Sequence, residues 1–159
     1  MRRFAPAILI ATTFLVASST AHSHCQIPCG IYDDELRVEL IEEHITTIEK
    51  SIAQLQTLSK ASPANYNQIV RWVDNKEHHA QEIQDIVTAY FMAQRIKAPE
   101  KKTGEGWDSY VEQLTLLHQI QVAAMKAKQT ADSSQIAVLQ SLVQSFREAY
   151  FGEEGTHGH

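Results

Sequence analysis

The residues best suited to metal chemistry stand near the start of the chain, where both of its cysteines lie, at Cys25 and Cys29. If a leader is removed after Ser23, His24 becomes a free amino terminus beside a thiol. The α-amine of His24, the amide nitrogen of Cys25 and the two thiolates can then lie in one plane, and the His24 imidazole can cap them. Such tetragonal sites suit Cu(II) or Ni(II), and thiolates favour redox-active metals over magnesium or calcium.

The cysteine pair has a second interpretation, because two cysteines in an exported protein form a disulfide by default. Here only three residues separate them, so a disulfide would close too small a loop to stabilise the fold much. A c-type haem site needs C-x-x-C-H, and a structural zinc site needs more thiolate or imidazole ligands than this. The pattern favours a nickel chelate, and the alternative is a non-enzymatic exported helical bundle with a disulfide or metal-carrier role.

The stretch from His24 to Tyr32 closely resembles the metal-binding hook of the nickel superoxide dismutases, H-C-x-x-P-C-G-x-Y, and matches it at every fixed position. This resemblance implies an enzyme that converts superoxide to hydrogen peroxide and dioxygen, with one nickel ion per subunit cycling between Ni(II) and Ni(III). It implies His24, Cys25 and Cys29 as the metal ligands. It also implies a homohexamer of helical bundles.

Two tyrosines are expected near this site. Tyr32 can place a hydroxyl near the open face of the metal, where it would order water or limit access, and its ring can also pack the hook onto the fold. Tyr90, which precedes Phe91, resembles a tyrosine that reaches the active site from the end of the family's second helix.

An axial imidazole also needs partners that orient it. The resemblance suggests Glu39 as a glutamate on the first helix. Arg71 is the first candidate for an arginine on the second helix, and other alignments reach Asn75 or His79 there. The predicted catalytic residues are therefore Tyr32, Glu39, Arg71 and Tyr90.

Residues 1–23 have the pattern of a cleaved secretory leader. A positive start at Arg2 and Arg3 precedes an apolar run, and small residues stand at Ala21 and Ser23, the positions that a signal peptidase reads. The apolar run is too short for a membrane span of roughly 20 residues. We expect signal peptidase or a dedicated protease to cut before His24, and we expect a periplasmic or secreted protein with no membrane segment in its mature form.

The net charge excludes some partners. The formal charge is −5, and it becomes −7 without the leader, which carries two arginines and no acidic residue. An acidic surface argues against nucleic acid as a partner and offers no global attraction for superoxide. Any steering of the substrate must come from lysine or arginine close to the site.

The remaining sequence has the apolar periodicity of helices, which predicts an all-α fold, an antiparallel up-and-down four-helix bundle. The bundle is expected over residues 33–151, behind a hook at 24–32 and before a flexible tail at 152–159. The expected helices run from 33 or 34 to about 60, from 63 or 64 to 97, from 107 to about 128, and from a cap among 132–134 through 150.

The predicted core-facing residues follow spacings of three and four. They are Ile41, Ile45, Ile48, Ile52 and Leu55 on the first helix; Tyr66, Ile69, Val73, Ala80, Ile83, Val87 and Tyr90 on the second; Trp107, Val111, Leu114, His118, Gln121 and Met125, flanked by Tyr110 and Leu117, on the third; and Ile136, Leu139, Val143, Phe146 and Tyr150 on the fourth.

Polar residues interrupt these stripes. Lys76 is expected either to reach solvent at the edge of the helix seam or to serve a buried polar patch. The histidines of the helices are expected at the surface or at helix seams rather than as metal ligands: His44, His78, His79 and His118.

Overall fold

The computed structural model describes residues 28–152. The chain divides into two units, Met1–Gly30 and Ile31–His159. The predictions for the leader, for the ligands His24 and Cys25, and for the tail from 153 onward lie outside the described residues.

Helices make up nearly all of the described part of the second unit, and the predicted all-α fold is confirmed. The helices are α1 (Asp34–Leu58), α2 (Tyr66–Asp85), α3 (Glu105–Gln129) and α4 (Ser134–Phe151), and a π-helical segment, Ile86–Arg95, continues α2. Between residues 28 and 152, none of the helices is long and apolar enough to cross a membrane.

The helices form an antiparallel bundle. α1 packs against α2 and α4, and α3 packs against the same two helices. At one end, Asp34 at the start of α1 accepts hydrogen bonds from Arg95 and Tyr150, near the ends of the π-helical segment and α4. At the other end, the Gln56 side chain of α1 donates to the Ala131 carbonyl just before α4. Neighbouring helices therefore run in opposite directions, as predicted.

Side-chain caps set where the first two helices begin. The Asp33 carboxylate accepts a hydrogen bond from the Leu36 amide at 3.1 Å, and the Asn65 side chain accepts one from the Gln68 amide at 3.2 Å. Because Asn65 satisfies an amide that would otherwise lack a partner in the first turn, α2 begins at Tyr66 and not at the predicted residue 63 or 64.

The predicted core stripes of α1 and α4 are largely confirmed. All five of the α1 residues are buried, and so are the first four of the α4 residues. The α2 stripe is correct only in its second half, because Tyr66 and Val73 are exposed while Ala80, Ile83 and Val87 are buried. The first turns of α2 therefore present apolar side chains to solvent.

The predicted core face of α3 is wrong. Val111 and Met125 are exposed, and the residues that face the core are Leu117, Ile120, Ala123, Ala124 and Ala127. Alanine contributes little to an apolar pattern, so the larger side chains on the other side of α3 dominated the sequence signal. In the bundle, small residues allow neighbouring backbones to approach closely, and this favours the alanine face.

Lys76 is buried, with 3 % of its surface exposed. Its ammonium group donates to the Ala127 carbonyl at 2.7 Å and to the Lys128 carbonyl, and it also pairs with Glu77 at 3.1 Å. The carbonyls at a helix C-terminus lack partners within their own helix. Lys76 therefore serves the buried polar patch and satisfies the end of α3.

Candidate metal centre

The end of the predicted hook is described at Pro28, Cys29 and Gly30. Cys29, one of the three predicted ligands, is exposed. Gly30 has a φ of 78°, in the left-handed region that glycine enters without steric cost. The chain therefore turns directly after an accessible thiol.

Of the predicted catalytic residues, the structure brings Tyr32 and Tyr90 together. Their ring centroids are 5.9 Å apart and the rings meet edge to face. Tyr90 is buried, whereas Tyr32 has 41 % of its surface exposed. The Tyr32 hydroxyl donates only a long hydrogen bond, 3.4 Å, to the side-chain oxygen of Gln94. Tyr32 is thus the accessible member of a supported aromatic pair.

The carboxylate of Asp34 accepts a hydrogen bond from Tyr90 of this pair, a contact that the sequence did not reveal. One of its oxygens accepts a hydrogen bond from the Tyr90 hydroxyl at 2.5 Å. The other accepts from the Tyr150 hydroxyl at 2.8 Å and from Arg95, through Nε at 3.0 Å and Nη2 at 2.6 Å. An acidic residue in the first turn of a helix is ordinarily explained by the positive end of the helix dipole, and Asp34 stands in the first turn of α1. The nearest sequence signal is the coincidence of two tyrosines and an arginine at the predicted helix ends.

The π-helical segment explains how Tyr90 and Arg95 reach the same carboxylate. Five positions along an α-helix correspond to about 140° around its axis, so these side chains would point in different directions. The wider π turn places residues five positions apart on nearly the same face. Such turns occur frequently at functional sites, and here the segment aims a phenol and a guanidinium at Asp34.

Arg37 is a second arginine in this group, and it lies against the Tyr90 ring. The guanidinium of Arg37, one turn into α1, stands 5.1 Å from the centroid of the Tyr90 ring. Its Nε is buried and has no hydrogen-bond partner among residues 28–152. Cations therefore approach the aromatic pair from two directions, since the Arg95 guanidinium lies 4.4 Å from the centroid of the Tyr32 ring.

The family model of the nickel-containing superoxide dismutases matches residues 19–154, which include the hook and the four helices. The chain belongs to this family. Comparisons with curated proteins and with solved structures give no match.

Family membership confirms the resemblance drawn from the hook. The protein is a nickel-dependent superoxide dismutase, an oxidoreductase that acts on superoxide. Within residues 28–152, no three His, Cys, Asp or Glu side chains are grouped so that they could hold a metal ion. In this part of the chain, Cys29 supplies the exposed thiol that is expected of a nickel ligand.

The contacts around Asp34 shift the pKa values of its partners. Burial raises the pKa of Asp34, but the hydrogen bonds from Arg95, Tyr90 and Tyr150 outweigh it and leave the pKa below the usual value. Burial, together with the hydrogen bond to this carboxylate, raises the pKa of Tyr90 to about 12 and that of Tyr150 to about 12. Asp34 is therefore charged and both phenols are neutral at physiological pH.

The other two predicted catalytic residues do not join this group. Glu39 is exposed on α1, and Arg71 is exposed on α2 in a surface depression shared with Trp72 and Asn75. Arg71 precedes Tyr90 by 19 residues, which is about 28 Å along a helix axis at about 1.5 Å per residue.

The two alternatives for the arginine position contact α1 instead. Asn75 donates a hydrogen bond to the Ser51 hydroxyl at 2.9 Å. The Nδ1 atom of His79 lies 2.8 Å from that of His44. Both residues therefore belong to the α1–α2 seam, and among residues 28–152 the arginines that approach the aromatic pair are Arg37 and Arg95.

Proposed function

We propose that this superoxide dismutase acts through Ni(II)/Ni(III) cycling at a mature amino terminus that begins at His24. Bound nickel supplies the redox change by which one superoxide is oxidised to dioxygen and the next is reduced, with two protons, to hydrogen peroxide. The observation that carries the proposal is the family match, which includes the complete His24–Tyr32 segment.

The proposed ligands are His24 through its amine and imidazole, Cys25 through its amide nitrogen and thiolate, and Cys29 through its thiolate. Thiolates and a deprotonated amide donate electron density, which makes the higher oxidation state of nickel accessible. Support comes from the exposure of Cys29 and from the turn at Gly30 that follows it.

Tyr32 is proposed to serve the reaction directly. It lies three residues after Cys29, its ring is partly exposed, and its hydroxyl has only one long hydrogen bond among the described residues. Such a phenol can order water and restrict access to the site. Tyr90 is proposed to support it from the bundle, while the roles predicted for Glu39 and Arg71 stay predictions.

The proposal is tested on purified mature protein by terminal sequencing and electron paramagnetic resonance. We expect His24 as the first residue and a rhombic Ni(III) signal with axial nitrogen coupling that a His24→Gln variant loses. Cys29→Ser should abolish both nickel retention and dismutation. A freshly isolated protein that lacks nickel and carries a Cys25–Cys29 disulfide would instead support the non-enzymatic helical bundle.

A control is needed for histidines outside the hook. His157 and His159 near the end of the chain can bind nickel without contributing to activity. A variant that ends at Gly152 should therefore keep the Ni(III) signal and the dismutation rate. Loss of the signal in this variant would contradict a site at His24.

We also propose that the subunits assemble as a homohexamer. Besides the family resemblance, support comes from α2, where Tyr66, Val70 and Val73 are 75 %, 66 % and 40 % exposed at helical spacing. A second copy of the chain could cover this face. Light scattering of the wild-type protein should give the mass of a hexamer, and Val70→Glu should give a lower mass. A monomeric mass for the wild-type protein would refute the assembly.

Export is proposed to create the site, because the cut that removes the leader also frees the His24 amine. The protein would then be periplasmic or secreted. Replacing Ala21 by Phe should block signal peptidase, which needs a small side chain at this position. Uncleaved precursor should bind no nickel at the hook, and a nickel-loaded precursor would contradict the proposed ligand set.

A further inference from the structure

Three helical elements converge on the Asp34 carboxylate: α1, which carries it, the π-helical segment and α4. The side chain is 16 % exposed, and its two oxygens accept four hydrogen bonds from Tyr90, Tyr150 and Arg95. An ionised carboxylate has about four acceptor positions. Side chains from distant parts of the sequence thus match this number of bonds, with one on Oδ1 and three on Oδ2.

These contacts occupy the Tyr90 hydroxyl. A phenol has one proton to donate, and Tyr90 donates it to Asp34 while its oxygen accepts a hydrogen bond from the Asp33 amide at 2.9 Å. Tyr90 can offer that proton to a substrate only by releasing Asp34. Among residues 28–152, the Tyr32 hydroxyl has one hydrogen bond, at 3.4 Å to Gln94, so Tyr32 is the phenol of the pair that can act on solvent or substrate.

Asp34 also reaches Tyr32 by two indirect routes. It fixes Arg95, whose guanidinium lies 4.4 Å from the Tyr32 ring centroid. It fixes Tyr90, whose ring meets Tyr32 edge to face. A cation over an aromatic face and an edge-to-face ring pair are both attractive contacts. The orientation of the exposed tyrosine thus depends on a carboxylate that does not touch it.

We infer that Asp34 is a positioning residue of this dismutase, which holds Tyr32 in its working orientation through Arg95 and Tyr90. The inference rests on the proposed function in assigning Tyr32 to the reaction.

The inference is tested with Asp34→Asn and Asp33→Asn, two neighbouring substitutions that remove the same charge. Asparagine at position 34 has one carbonyl oxygen and a donor amide, so it cannot accept from Tyr90, Tyr150 and Arg95 together. Asparagine at position 33 remains a good helix cap, and the backbone amide that bonds Tyr90 is unchanged. Asp33→Asn is therefore the matched control.

The first measurement uses metal-free protein with labelled tyrosine ring carbons, titrated by nuclear magnetic resonance. Wild type and Asp33→Asn should each show two tyrosines, Tyr90 and Tyr150, with a pKa of about 12. Asp34→Asn should lower both values towards the ordinary value of about 10, because the negative acceptor is lost. Unchanged values would refute Asp34 as the acceptor of these phenols.

The second measurement is the dismutation rate of the nickel-loaded proteins, corrected for nickel content and for the folded fraction. A displaced positioning group commonly costs roughly tenfold to a hundredfold in rate, and we expect a loss in this range for Asp34→Asn and none for Asp33→Asn. If Asp34→Asn shifts the tyrosine pKa values but keeps the wild-type rate, the positioning role is refuted. Failure of the wild-type protein to dismutate superoxide would refute the proposed function and leave the titration result valid.

Arg95→Gln gives a second variant if Asp34→Asn folds poorly. It keeps the hydrogen bonds of Tyr90 and Tyr150 to Asp34 but removes the cation above Tyr32. We expect a lower dismutation rate and raised pKa values that persist for both phenols. A wild-type rate in Arg95→Gln would overturn the route from Asp34 through Arg95.

Discussion

The bundle largely encloses the charged side chains of Asp34 and Lys76, and these two differ in what they hold. The Asp34 carboxylate accepts hydrogen bonds from the side chains of Tyr90, Tyr150 and Arg95. The Lys76 ammonium donates to backbone carbonyls at the end of α3. Backbone carbonyls are already fixed by their helix, so Lys76 stabilises packing. The partners of Asp34 are side chains with rotatable bonds, so Asp34 fixes the orientation of Tyr90 and Arg95, which both contact the exposed Tyr32 ring.

Asp34→Ala is expected to have the largest effect, because it leaves the partly buried Arg95 and two phenols without their acceptor. Removing one partner of an enclosed ion pair costs about 3 kcal/mol, and partial exposure of Arg95 lowers this to about 2 kcal/mol. The dismutation rate per folded, nickel-loaded subunit should also fall. Urea unfolding and rate measurements check both effects. A loss of stability without a loss of rate would mean that Asp34, like Lys76, only stabilises the fold.

Lys76→Met is expected to reduce stability by about 2 kcal/mol, because two carbonyls at the end of α3 lose their donor in a buried site. The rate per folded subunit should stay at the wild-type value. Lys126→Met, at an exposed position of α3, should change stability by less than about 0.5 kcal/mol. A lower rate in Lys76→Met would show that the two enclosed charges are not separate in function.

Asn65→Ala tests a cap that is distant from the Asp34 group. It removes the acceptor of the Gln68 amide and should cost about 1 kcal/mol of unfolding free energy. Asn67→Ala, an exposed neighbour without a capping role in the described residues, should cost less. Equal losses in the two variants would contradict the cap.

The smallest effect is expected from the imidazole pair of His44 and His79 at the α1–α2 seam. In their 2.8 Å contact, the Nδ1 atom of one ring must donate and that of the other must accept. Protonation of the accepting Nδ1 leaves two donors facing each other and disrupts the contact. Burial, followed by repulsion between neighbouring rings, lowers the pKa of His44 and of His79 below 6.5. Glu43 and Glu82 act in the opposite direction for both rings, and His78 acts with burial.

The sign of the pH effect follows from these directions. The unfolded chain binds protons at these sites more readily than the fold does, so stability is complete above the unfolded pKa of about 6.5 and falls as the pH drops below it. In urea unfolding of the metal-free proteins, the free energy of unfolding of His79→Gln should fall less steeply towards acid pH than that of wild type. The free energy of unfolding of His118→Gln, at an exposed position, should fall with pH as that of wild type does. A wild-type pH dependence in His79→Gln would exclude the His44–His79 pair as the cause of the loss in acid.

The sequence was sufficient to predict the buried face of a helix where the pattern of large apolar side chains lies on that face. The spacing of the α1 isoleucines predicted their burial, because residues three and four apart share a helix face. The same reasoning failed on α3, where exposed Val111 and Met125 gave a stronger pattern than the alanines that face the core. Periodicity ranks faces by side-chain size and polarity, but the close approach of neighbouring helices decides which face is buried.

The order of residues from His24 to Tyr32 by itself predicted the family through its likeness to a nickel hook, since the predicted donors are neighbours along the chain, and the family model over residues 19–154 confirms that family. Only the tertiary structure decided the surroundings of Tyr32. Asp34 meets Tyr90, Arg95 and Tyr150 from distances of 56, 61 and 116 positions in sequence. The antiparallel helix directions were predicted, but the π turn and the meeting of the helix ends at one carboxylate are not encoded in a local pattern.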